Sequence, residues 1–288
     1  MSNRRVKRIL NEIKELNEST NILEENGVYF YFDDSNINYV YAMLIGPQDT
    51  PYEKGFYFFK FEYPENYPMT PPIAKYYTQG TLKNKSGNFF NVRFNPNLYV
   101  CGKVCLSMLN TWAGPGWVPT NTMSNVLVAL VALVLIENPL TNEPGFENSA
   151  KKEIDKYSEI IAYANIQISV LNMIENPPQH FEFFKSKMIE IFMKNTEYYR
   201  NFVLKKNDEL KDIILESPYS MSYKFNYGEL LQKIDVMEAK ILNNIEKESI
   251  DSSLVKDDSI NNNAEKNGFI DDTVLKIDLL SISETKSK

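Results

Sequence analysis

The stretch FNPNLYVCGKVCLSMLNTW, residues 94–112, contains both cysteines of the chain, Cys101 and Cys105. An Asn-Pro-Asn turn precedes the pair and Trp112 ends the stretch, so both thiols lie in one segment rich in turn-forming residues. Three kinds of cysteine site are compatible with such a segment: a zinc site, a redox pair, and a single nucleophile with a bystander.

A zinc site is the poorest of the three, because the chain offers no other cysteine and only one histidine, His180, which follows two prolines far along the sequence. A redox pair usually has two residues between its cysteines at the start of a helix. Here three residues intervene, and Gly102 among them indicates a turn. The third interpretation makes Cys105 the nucleophile and Cys101 a bystander. Cysteines are more often structural than catalytic, so the context has to decide.

The composition argues against several functions. A total of 31 basic and 38 acidic residues gives a net charge of −7, whereas a nucleic-acid-binding protein usually has a basic excess. The opening MSNRRVKRILNEIKEL lacks the apolar core of a signal peptide, and the longest apolar run, residues 126–136, is about half of a membrane span. The sequence therefore predicts a soluble protein of a reducing compartment, the cytoplasm or the nucleus, with no metal site.

The residue pattern predicts an α+β fold. Apolar residues at helical spacing predict an N-terminal helix, and aromatic and β-branched runs at 28–32, 39–45, 56–63 and 73–77 predict a four-stranded antiparallel meander. Residues 78–93 are interpreted as a loop, and residues 120–136 as a central helix that is apolar nearly all round and buried. The pattern from about 148 to 247 is helical, with interruptions at Asn176-Pro177-Pro178 and at Ser217-Pro218. Beyond residue 251 it turns to Ser, Asp, Asn and Lys, which predicts disorder.

The order of these elements and motifs resembles the ubiquitin-conjugating enzymes. The resemblance covers roughly residues 3–148, the catalytic (UBC) domain of that family. It rests on ordered pieces of sequence: Gly46-Pro47, Thr50-Pro51-Tyr52, Gly55, Tyr67-Pro68, Pro71-Pro72, Pro96-Asn97, Gly102, Cys105-Leu106 and Trp117-Val118-Pro119. The predicted domains are therefore a UBC domain at 1–150, a helical C-terminal extension at 151–250 and a disordered tail at 251–288.

Within the family, the loop LNTWAGPGWVP and the segment ENPLTNEPGFE resemble a branch with an enlarged catalytic domain. That branch includes ubiquitin-conjugating enzyme Z and the conjugating domain of the giant inhibitor-of-apoptosis protein. The stretches YYRNF and YGELLQKI also resemble the helical extension of enzyme Z. Because the motifs of the chemistry end by about Glu147, we predict that the helical extension is an accessory that tunes partner choice, and that a protein ending near Ser149 stays folded. The alternative is that the extension only stabilises the fold, since losing its apolar helical face would expose the core.

The resemblance implies a catalytic set. Cys105 would carry ubiquitin, or a ubiquitin-like modifier, as a thioester, with its thiol at the rim of a shallow groove. Asn97 would donate to the oxyanion of the transfer step or brace the nearby loop. Asn95 and Pro96 would shape the turn, although most family members have histidine at the position of Asn95. Glu143 aligns with an acidic residue that helps to orient the incoming lysine. No cofactor is implied, because the activating enzyme consumes the ATP.

The resemblance also implies partner surfaces, each given by position in this sequence. The partners would be the modifier, the activating enzyme, a ubiquitin ligase and protein substrates, with neither nucleic acid nor membrane. The activating enzyme and the ligase would meet Arg4, Arg5, Lys7, Arg8, Met69, Val118 and Pro119. The donor ubiquitin would lie against Val128 and Ala132 of the central helix.

Two alternatives remain open. The first is a variant of the same fold that binds ubiquitin without catalysis, against which Cys105 in its full motif argues. The second is a thiol redox protein that uses Cys101 and Cys105.

Overall fold

A computed structural model describes residues 3–33, 35–84, 86–210 and 213–254, with side chains described up to residue 247. The described chain divides into two compact units. Among the described residues, the first unit comprises those up to 181 together with 213–225, and the second comprises 182–210 and 226–254. Most of the predicted tail, from residue 255 onward, lies outside the described residues, and residues 251–254 belong to the last helix.

The first unit contains the predicted sheet. Its strands pair antiparallel in the order β1-β2-β3-β4, and they are β1 (Val28–Phe32), β2 (Tyr39–Ile45), β3 (Phe56–Glu62) and β4 (Ile73–Tyr76). Met43 lies opposite Phe58, and Phe61 lies opposite Ala74, so aromatic and aliphatic side chains meet across the ladders. The predicted α+β class and the meander are confirmed. Each hydrophobic run forms one strand because a turn signal bounds it on both sides.

The helices of the first unit frame this sheet. They are α1 (Asn3–Glu18), α2 (Thr20–Glu25), α3 (Met123–Leu133), α4 (Lys151–Ala164) and, after a π-helical segment (Asn165–Asn172), α5 (Met173–Glu175). Thr122 caps α3, because its side chain accepts from the Asn125 amide while Asn125 accepts from the Thr122 amide. The predicted central helix is shorter than expected, and it is not buried all round, since Val128 and Leu133 are 49% and 56% exposed.

Two of the secondary-structure predictions miss a β-hairpin. The predicted loop at 78–93 contains a hairpin of β5 (Thr81–Lys83) and β6 (Phe89–Asn91), which forms because Leu82 is buried and the Asn84 side chain accepts from the Asn88 amide in the turn. The predicted helical stretch from 148 to 247 contains a second hairpin, β7 (Ile214–Ser217) and β8 (Met221–Lys224), whose turn begins at the interruption predicted at Ser217-Pro218. In each strand, more exposed side chains alternate with more buried ones, a period that suits a strand rather than a helix.

The segment after residue 150 is part of the first compact unit. The Asn165 side chain accepts from the Tyr57 hydroxyl at 2.6 Å and donates to the Glu53 carbonyl oxygen at 2.9 Å. A Cβ atom on Gly55 would lie 1.8 Å from Asn165 Oδ1, so only glycine permits this close approach. Whether residues 1–150 fold without this segment remains a prediction.

Phe181 covers one face of the sheet within the same unit. Its ring lies 5.5 Å from that of Tyr41, 5.0 Å from that of Phe58 and 5.2 Å from that of Tyr77, measured between centroids. Phe181 is completely buried, and aromatic pairs at these distances add to the energy of area burial. The chain beyond residue 150 thus contributes a core side chain to the sheet.

The second unit is helical where it is described. It contains α6 (Lys185–Lys194), α7 (Thr196–Leu210) and α8 (Tyr227–Leu254). Arg200 of α7 forms ion pairs with Asp235, at 2.8 Å, and with Glu238 of α8. The rings of Phe192 and Tyr199 stack at 5.7 Å, which joins α6 to α7. Apolar and charged contacts therefore both hold these three helices together.

Candidate active site

The Asn-Pro-Asn turn is held by the side chain of its first residue. Asn95 is completely buried, and its Nδ2 donates to the Tyr52 hydroxyl at 3.0 Å and to the Val134 carbonyl oxygen at 2.7 Å. Asn95 Oδ1 accepts from the backbone amide of Asn97 at 2.8 Å. With its buried amide group hydrogen-bonded on both sides, Asn95 fixes the backbone of the turn. The ring of Pro96 restricts that backbone further.

Asn97 and Cys105 are joined by a reciprocal pair of hydrogen bonds. The Cys105 amide donates to the Asn97 carbonyl oxygen, and Asn97 Nδ2 donates to the Cys105 carbonyl oxygen, each at 2.8 Å. Asn97 is 7% exposed, and its Oδ1 is buried without a hydrogen-bond partner among the described residues. An amide group has two N–H bonds, so one donor of Asn97 is engaged with the backbone and one remains.

Cys105 is buried, with 1% of its surface exposed, whereas the sequence predicts a thiol at the rim of a groove. That expectation is wrong for this structure. Thr111 binds the backbone on either side of Cys105. The Thr111 hydroxyl donates to the Val104 carbonyl oxygen at 2.8 Å and accepts from the Leu106 amide at 2.9 Å. These bonds hold the start of the long loop on both sides of Cys105. The sequence reasoning missed Thr111.

The two cysteines occupy different environments. Both are free thiols, and Cys101 is exposed while Cys105 is buried. Gly102 between them adopts φ +89°, in the left-handed region that favours glycine, which agrees with the turn expected from the sequence. With this bend between them, Cys101 is exposed to solvent, whereas Cys105 is buried next to Asn97.

Glu143 follows a 3₁₀ turn (Pro139–Asn142) that is tied to the Asn-Pro-Asn turn. Asn142 Nδ2 donates to the Leu133 carbonyl oxygen at 3.1 Å and lies 3.4 Å from Asn95 Oδ1. The half-buried Glu143 carboxylate accepts a hydrogen bond from the hydroxyl of Tyr219. Burial, and then the bond to Glu143, raises the pKa of Tyr219 above its ordinary value.

Arg93 connects the same turn to Tyr219. Its Nε donates to the Asn95 carbonyl oxygen at 3.1 Å, and its Nη2 donates to the Pro96 carbonyl oxygen at 2.6 Å. Its guanidinium carbon lies 3.6 Å from the ring centroid of Tyr99 and 5.1 Å from that of Tyr219. Arg93 and Tyr219 were both missed by the sequence reasoning, because their partners are set by packing and no local motif marks them.

Three of the four residues predicted to form a basic face on α1 are at least partly exposed to solvent. Arg4 and Lys7 are exposed, and Arg8 is partly exposed. Arg8 Nε pairs with Glu12 at 2.5 Å, and Arg8 Nη2 donates to the Asn121 carbonyl oxygen at 2.7 Å. Desolvation would lower the pKa of Arg8, but the bond and charge of Glu12 outweigh it and raise that pKa, so the guanidinium stays charged.

Arg5 is not on that exposed face, which corrects the prediction. It is 5% exposed, and its guanidinium donates to the Pro64 carbonyl oxygen at 2.7 Å, to the Tyr63 carbonyl oxygen and to Asn38 Oδ1 at 2.8 Å. A buried guanidinium needs such acceptors, and the loop after β3 provides two of them. Arg5 therefore fastens α1 to the end of the sheet.

The remaining predicted partner residues are exposed. Met69 and Val118 are 71% and 50% exposed, Pro119 is exposed, and the indole N–H of Trp117 donates to the Pro68 carbonyl oxygen at 2.7 Å. That bond brings the loop of Met69 next to the loop of Val118. On α3, Val128 and Ala132 are exposed one turn apart. The geometry presents each of these apolar side chains to solvent, and what binds them stays a prediction.

Within the described ranges, no three His, Cys, Asp or Glu side chains come together as a metal site would require. The helices of that same part of the chain include none long and apolar enough to cross a membrane.

Comparison with known proteins gives the family. A model of the ubiquitin-conjugating enzyme family matches residues 8–161, which contain Asn95, Asn97, Cys105 and Glu143 but not Tyr219. Ubiquitin-conjugating enzyme E2 Z of Xenopus tropicalis is 35% identical over 227 residues, which is 78% of this chain and 69% of the frog protein. The human E2 Z is 34% identical over 225 residues, or 77% of this chain and 61% of the human protein.

A plant protein matches over a shorter length: the probable ubiquitin-conjugating enzyme E2 25 of Arabidopsis thaliana is 41% identical over 160 residues, 52% of this chain and 24% of the plant protein. The chain thus spans only part of each of these relatives. The meander, the Asn-Pro-Asn turn joined to Cys105 and the family match agree, and this chain belongs to the ubiquitin-conjugating enzyme family.

Proposed function

We propose that this protein accepts ubiquitin, or a ubiquitin-like modifier, as a thioester on Cys105 and transfers it to lysine side chains of protein substrates. The single observation that supports this best is the reciprocal pair of hydrogen bonds between Asn97 and Cys105. These bonds place an amide donor beside the cysteine in a member of a family whose name describes conjugation of ubiquitin.

In the charging step, the Cys105 thiolate attacks the carbonyl carbon of the thioester that ubiquitin forms with its activating enzyme. A new C–S bond forms at Cys105, the old C–S bond breaks, and the cysteine thiolate of the activating enzyme leaves with the bonding electron pair. ATP is consumed earlier, by the activating enzyme, so no cofactor is assigned to this chain. Because Cys105 is buried, the loop that Thr111 holds must open before the thiol can react.

In the transfer step, the substrate lysine first loses one proton from its ammonium group to solvent. The amine then attacks the thioester carbonyl carbon, a C–N bond forms, and negative charge develops on the carbonyl oxygen. The second N–H of Asn97 Nδ2 is the proposed donor to that oxygen, since the first is bonded to the Cys105 backbone. Collapse breaks the C–S bond, and the leaving Cys105 thiolate takes up the proton that the nitrogen releases.

Glu143 is the proposed group that receives the lysine. A half-buried carboxylate attracts an ammonium ion and can accept its hydrogen bonds, which orients the amine before attack. Its connection to the turn through Asn142 and Asn95 supports this role. No histidine is needed in this scheme, which suits a chain with one histidine.

The partner surfaces are proposed from position and exposure. Arg4, Lys7 and Arg8 on α1 would meet the activating enzyme, and the adjoining loops of Met69, Val118 and Pro119 would meet a ligase. The exposed Val128 and Ala132 would support the donor ubiquitin during transfer. Arg5 is excluded from this proposal because its guanidinium is buried.

A charging assay tests the proposal against both alternatives. Incubated with ubiquitin, ATP and an activating enzyme, the wild-type protein should gain the mass of one ubiquitin in a form that a reducing agent removes. Cys105→Ser should replace that thioester with a reductant-stable ester, and Cys101→Ser is the matched control that should charge normally. A non-catalytic binder would show no adduct, and a redox protein would lose activity on replacement of either cysteine.

A further inference from the structure

Tyr219 lies in the turn between β7 and β8, far along the chain from the Asn-Pro-Asn turn, yet its side chain reaches the candidate active site. Its hydroxyl donates to Glu143 Oε2. Its ring centroid lies 6.2 Å from that of Tyr157 and 5.1 Å from the guanidinium carbon of Arg93. One side chain from the C-terminal part of the chain therefore contacts the proposed lysine-binding carboxylate and the arginine that holds the turn.

The hairpin that presents Tyr219 is anchored in the first compact unit. Met221 is completely buried, and the ring of Tyr223 lies 4.8 Å from that of Tyr163 on α4. Phe225, just beyond β8, lies 5.5 Å from the same Tyr163 ring. Contacts at both ends of β8 hold its backbone, so the turn is fixed relative to α4.

The backbone of the turn is in an unfavourable region. Tyr219 has φ 65° and Ser220 has φ 57°, both in the left-handed region that side-chain-bearing residues seldom adopt. Such a conformation persists only where surrounding contacts hold it. Here the conformation directs a tyrosine ring between Tyr157 and Arg93 and its hydroxyl to Glu143.

The charge state of the contact follows from the surroundings. Burial, and then the bond to Glu143, raises the pKa of Tyr219, so its phenol stays protonated at neutral pH and donates to the carboxylate. That bond uses Oε2, and a carboxylate accepts several hydrogen bonds. Oε1 is therefore left to accept from an incoming ammonium group.

We propose that Tyr219 is a positioning residue for transfer to lysine: it orients the Glu143 carboxylate toward the incoming amine and keeps Arg93 against the backbone of the Asn-Pro-Asn turn. This inference rests on the function proposed above for Cys105 and Glu143. Tyr219 donates a hydrogen bond throughout and neither gains nor loses a proton, so the balance of the transfer step is unchanged. The C-terminal part of the chain then takes part in the chemistry through this residue.

The test is discharge of the Cys105–ubiquitin thioester by two nucleophiles. Free lysine must be oriented and must lose a proton, whereas hydroxylamine is already a neutral amine and needs no carboxylate. Tyr219→Phe removes only the hydroxyl, so charging and discharge to hydroxylamine should match the wild type. Discharge to lysine should slow about tenfold, the effect expected from losing a hydrogen bond to a charged group. Tyr223→Phe, on the same hairpin, is the matched control and should behave as the wild type.

A double-variant cycle separates positioning from mere stability. If Tyr219 acts through Glu143, adding Tyr219→Phe to Glu143→Gln should slow lysine discharge by less than about twofold further, because the carboxylate that Tyr219 orients is already absent. The inference would be overturned if Tyr219→Phe discharged to lysine at the wild-type rate, or if its discharge to lysine and to hydroxylamine slowed equally. Full, independent losses in the double variant would overturn it too. Absence of any adduct on wild-type Cys105 would instead refute the proposed function, and the inference with it.

Discussion

The side-chain amide of Asn97 donates to the backbone carbonyl of Cys105, and the backbone amide of Cys105 donates to the carbonyl of Asn97, both at 2.8 Å. This pair of bonds gives Asn97 two roles at once. One N–H of its amide braces the cysteine segment, and the other is free to meet the oxyanion of transfer. The sequence left these two roles open as alternatives, and the geometry is compatible with both in one residue.

Asn97→Ala should therefore affect transfer more than charging. Loss of an oxyanion donor is expected to slow discharge of the thioester to lysine roughly a hundredfold, whereas charging by the activating enzyme should change far less. Single-turnover gels for each step measure the two rates, with a thermal melt to check folding. Equal slowing of charging and discharge would show that the bracing bond to the Cys105 backbone is the only role of Asn97.

Thr111 should control access to Cys105. Thr111→Val keeps the shape of the side chain and removes the hydroxyl that bridges the Val104 carbonyl and the Leu106 amide. The loop should open more often, so alkylation of Cys105 by iodoacetamide should become several-fold faster, as expected from losing about 1 kcal/mol of hydrogen bonding. Mass spectrometry of the Cys105 peptide gives the rate, and the exposed Cys101 is the internal reference. An unchanged Cys105 rate would show that another contact keeps the thiol covered.

Replacement of Arg5 or Arg4 by alanine should have different effects: the first should reduce stability, and the second should weaken charging. Arg5→Ala leaves the Pro64 and Tyr63 carbonyls and the Asn38 side chain without a buried donor, and should lower the free energy of unfolding by roughly 2–4 kcal/mol. Arg4→Ala removes an exposed charge and should change stability by less than about 0.5 kcal/mol. It should instead weaken charging at low concentrations of activating enzyme. Urea unfolding and charging titrations measure both, and a stable Arg5→Ala variant would contradict the buried anchoring of α1.

The segment after residue 150 should stabilise the catalytic fold. The sequence predicts that a protein ending near Ser149 stays folded, but such a protein would lose Asn165 and Phe181, which contact Tyr57 and the sheet. The structure therefore predicts a much lower melting temperature for it, followed by circular dichroism. In the full chain, Asn165→Ala should cost about 1–3 kcal/mol because the buried Tyr57 hydroxyl and Glu53 carbonyl lose their partner. A truncated protein as stable as the full chain would support the accessory role instead.

Buried tyrosines should make the protein sensitive to alkali. Burial raises the pKa of Tyr52, Tyr76 and Tyr157 above the ordinary value of about 10, so the folded state holds protons that the unfolded state releases. The stability they contribute is complete below about pH 10 and is lost above it, by up to about 1.4 kcal/mol per pH unit for each tyrosine. Urea unfolding across this range measures the slope. Tyr76→Phe should reduce that slope, and an equal slope in the variant would argue against the linkage.

Local sequence determined the secondary structure around the site and the identity of its central motif. Alternating aromatic and β-branched residues between Gly and Pro turns specify β1 to β4, because each strand needs only its own period and its two boundaries. The Asn-Pro-Asn turn begins ten positions before Cys105 and ends eight before it, so one short motif contains them. The family resemblance predicts Met69, Val118 and the basic residues of α1 as partner positions; Arg4, Lys7, Met69 and Val118 are exposed, and their partners stay a prediction.

Tertiary structure alone decided which side chains meet at the site and how deeply each is buried. Tyr219 reaches Glu143 from 76 residues away, and Tyr57 binds Asn165 across 108 residues. No periodicity connects such positions, because these contacts arise from how whole elements pack and not from the residues next to them. Arg5 illustrates the same limit, since the loop after β3 buries it although its neighbours on the helix, Arg4 and Lys7, remain in solvent. The burial of Cys105 is likewise set by how its segment packs, and the local motif does not reveal it.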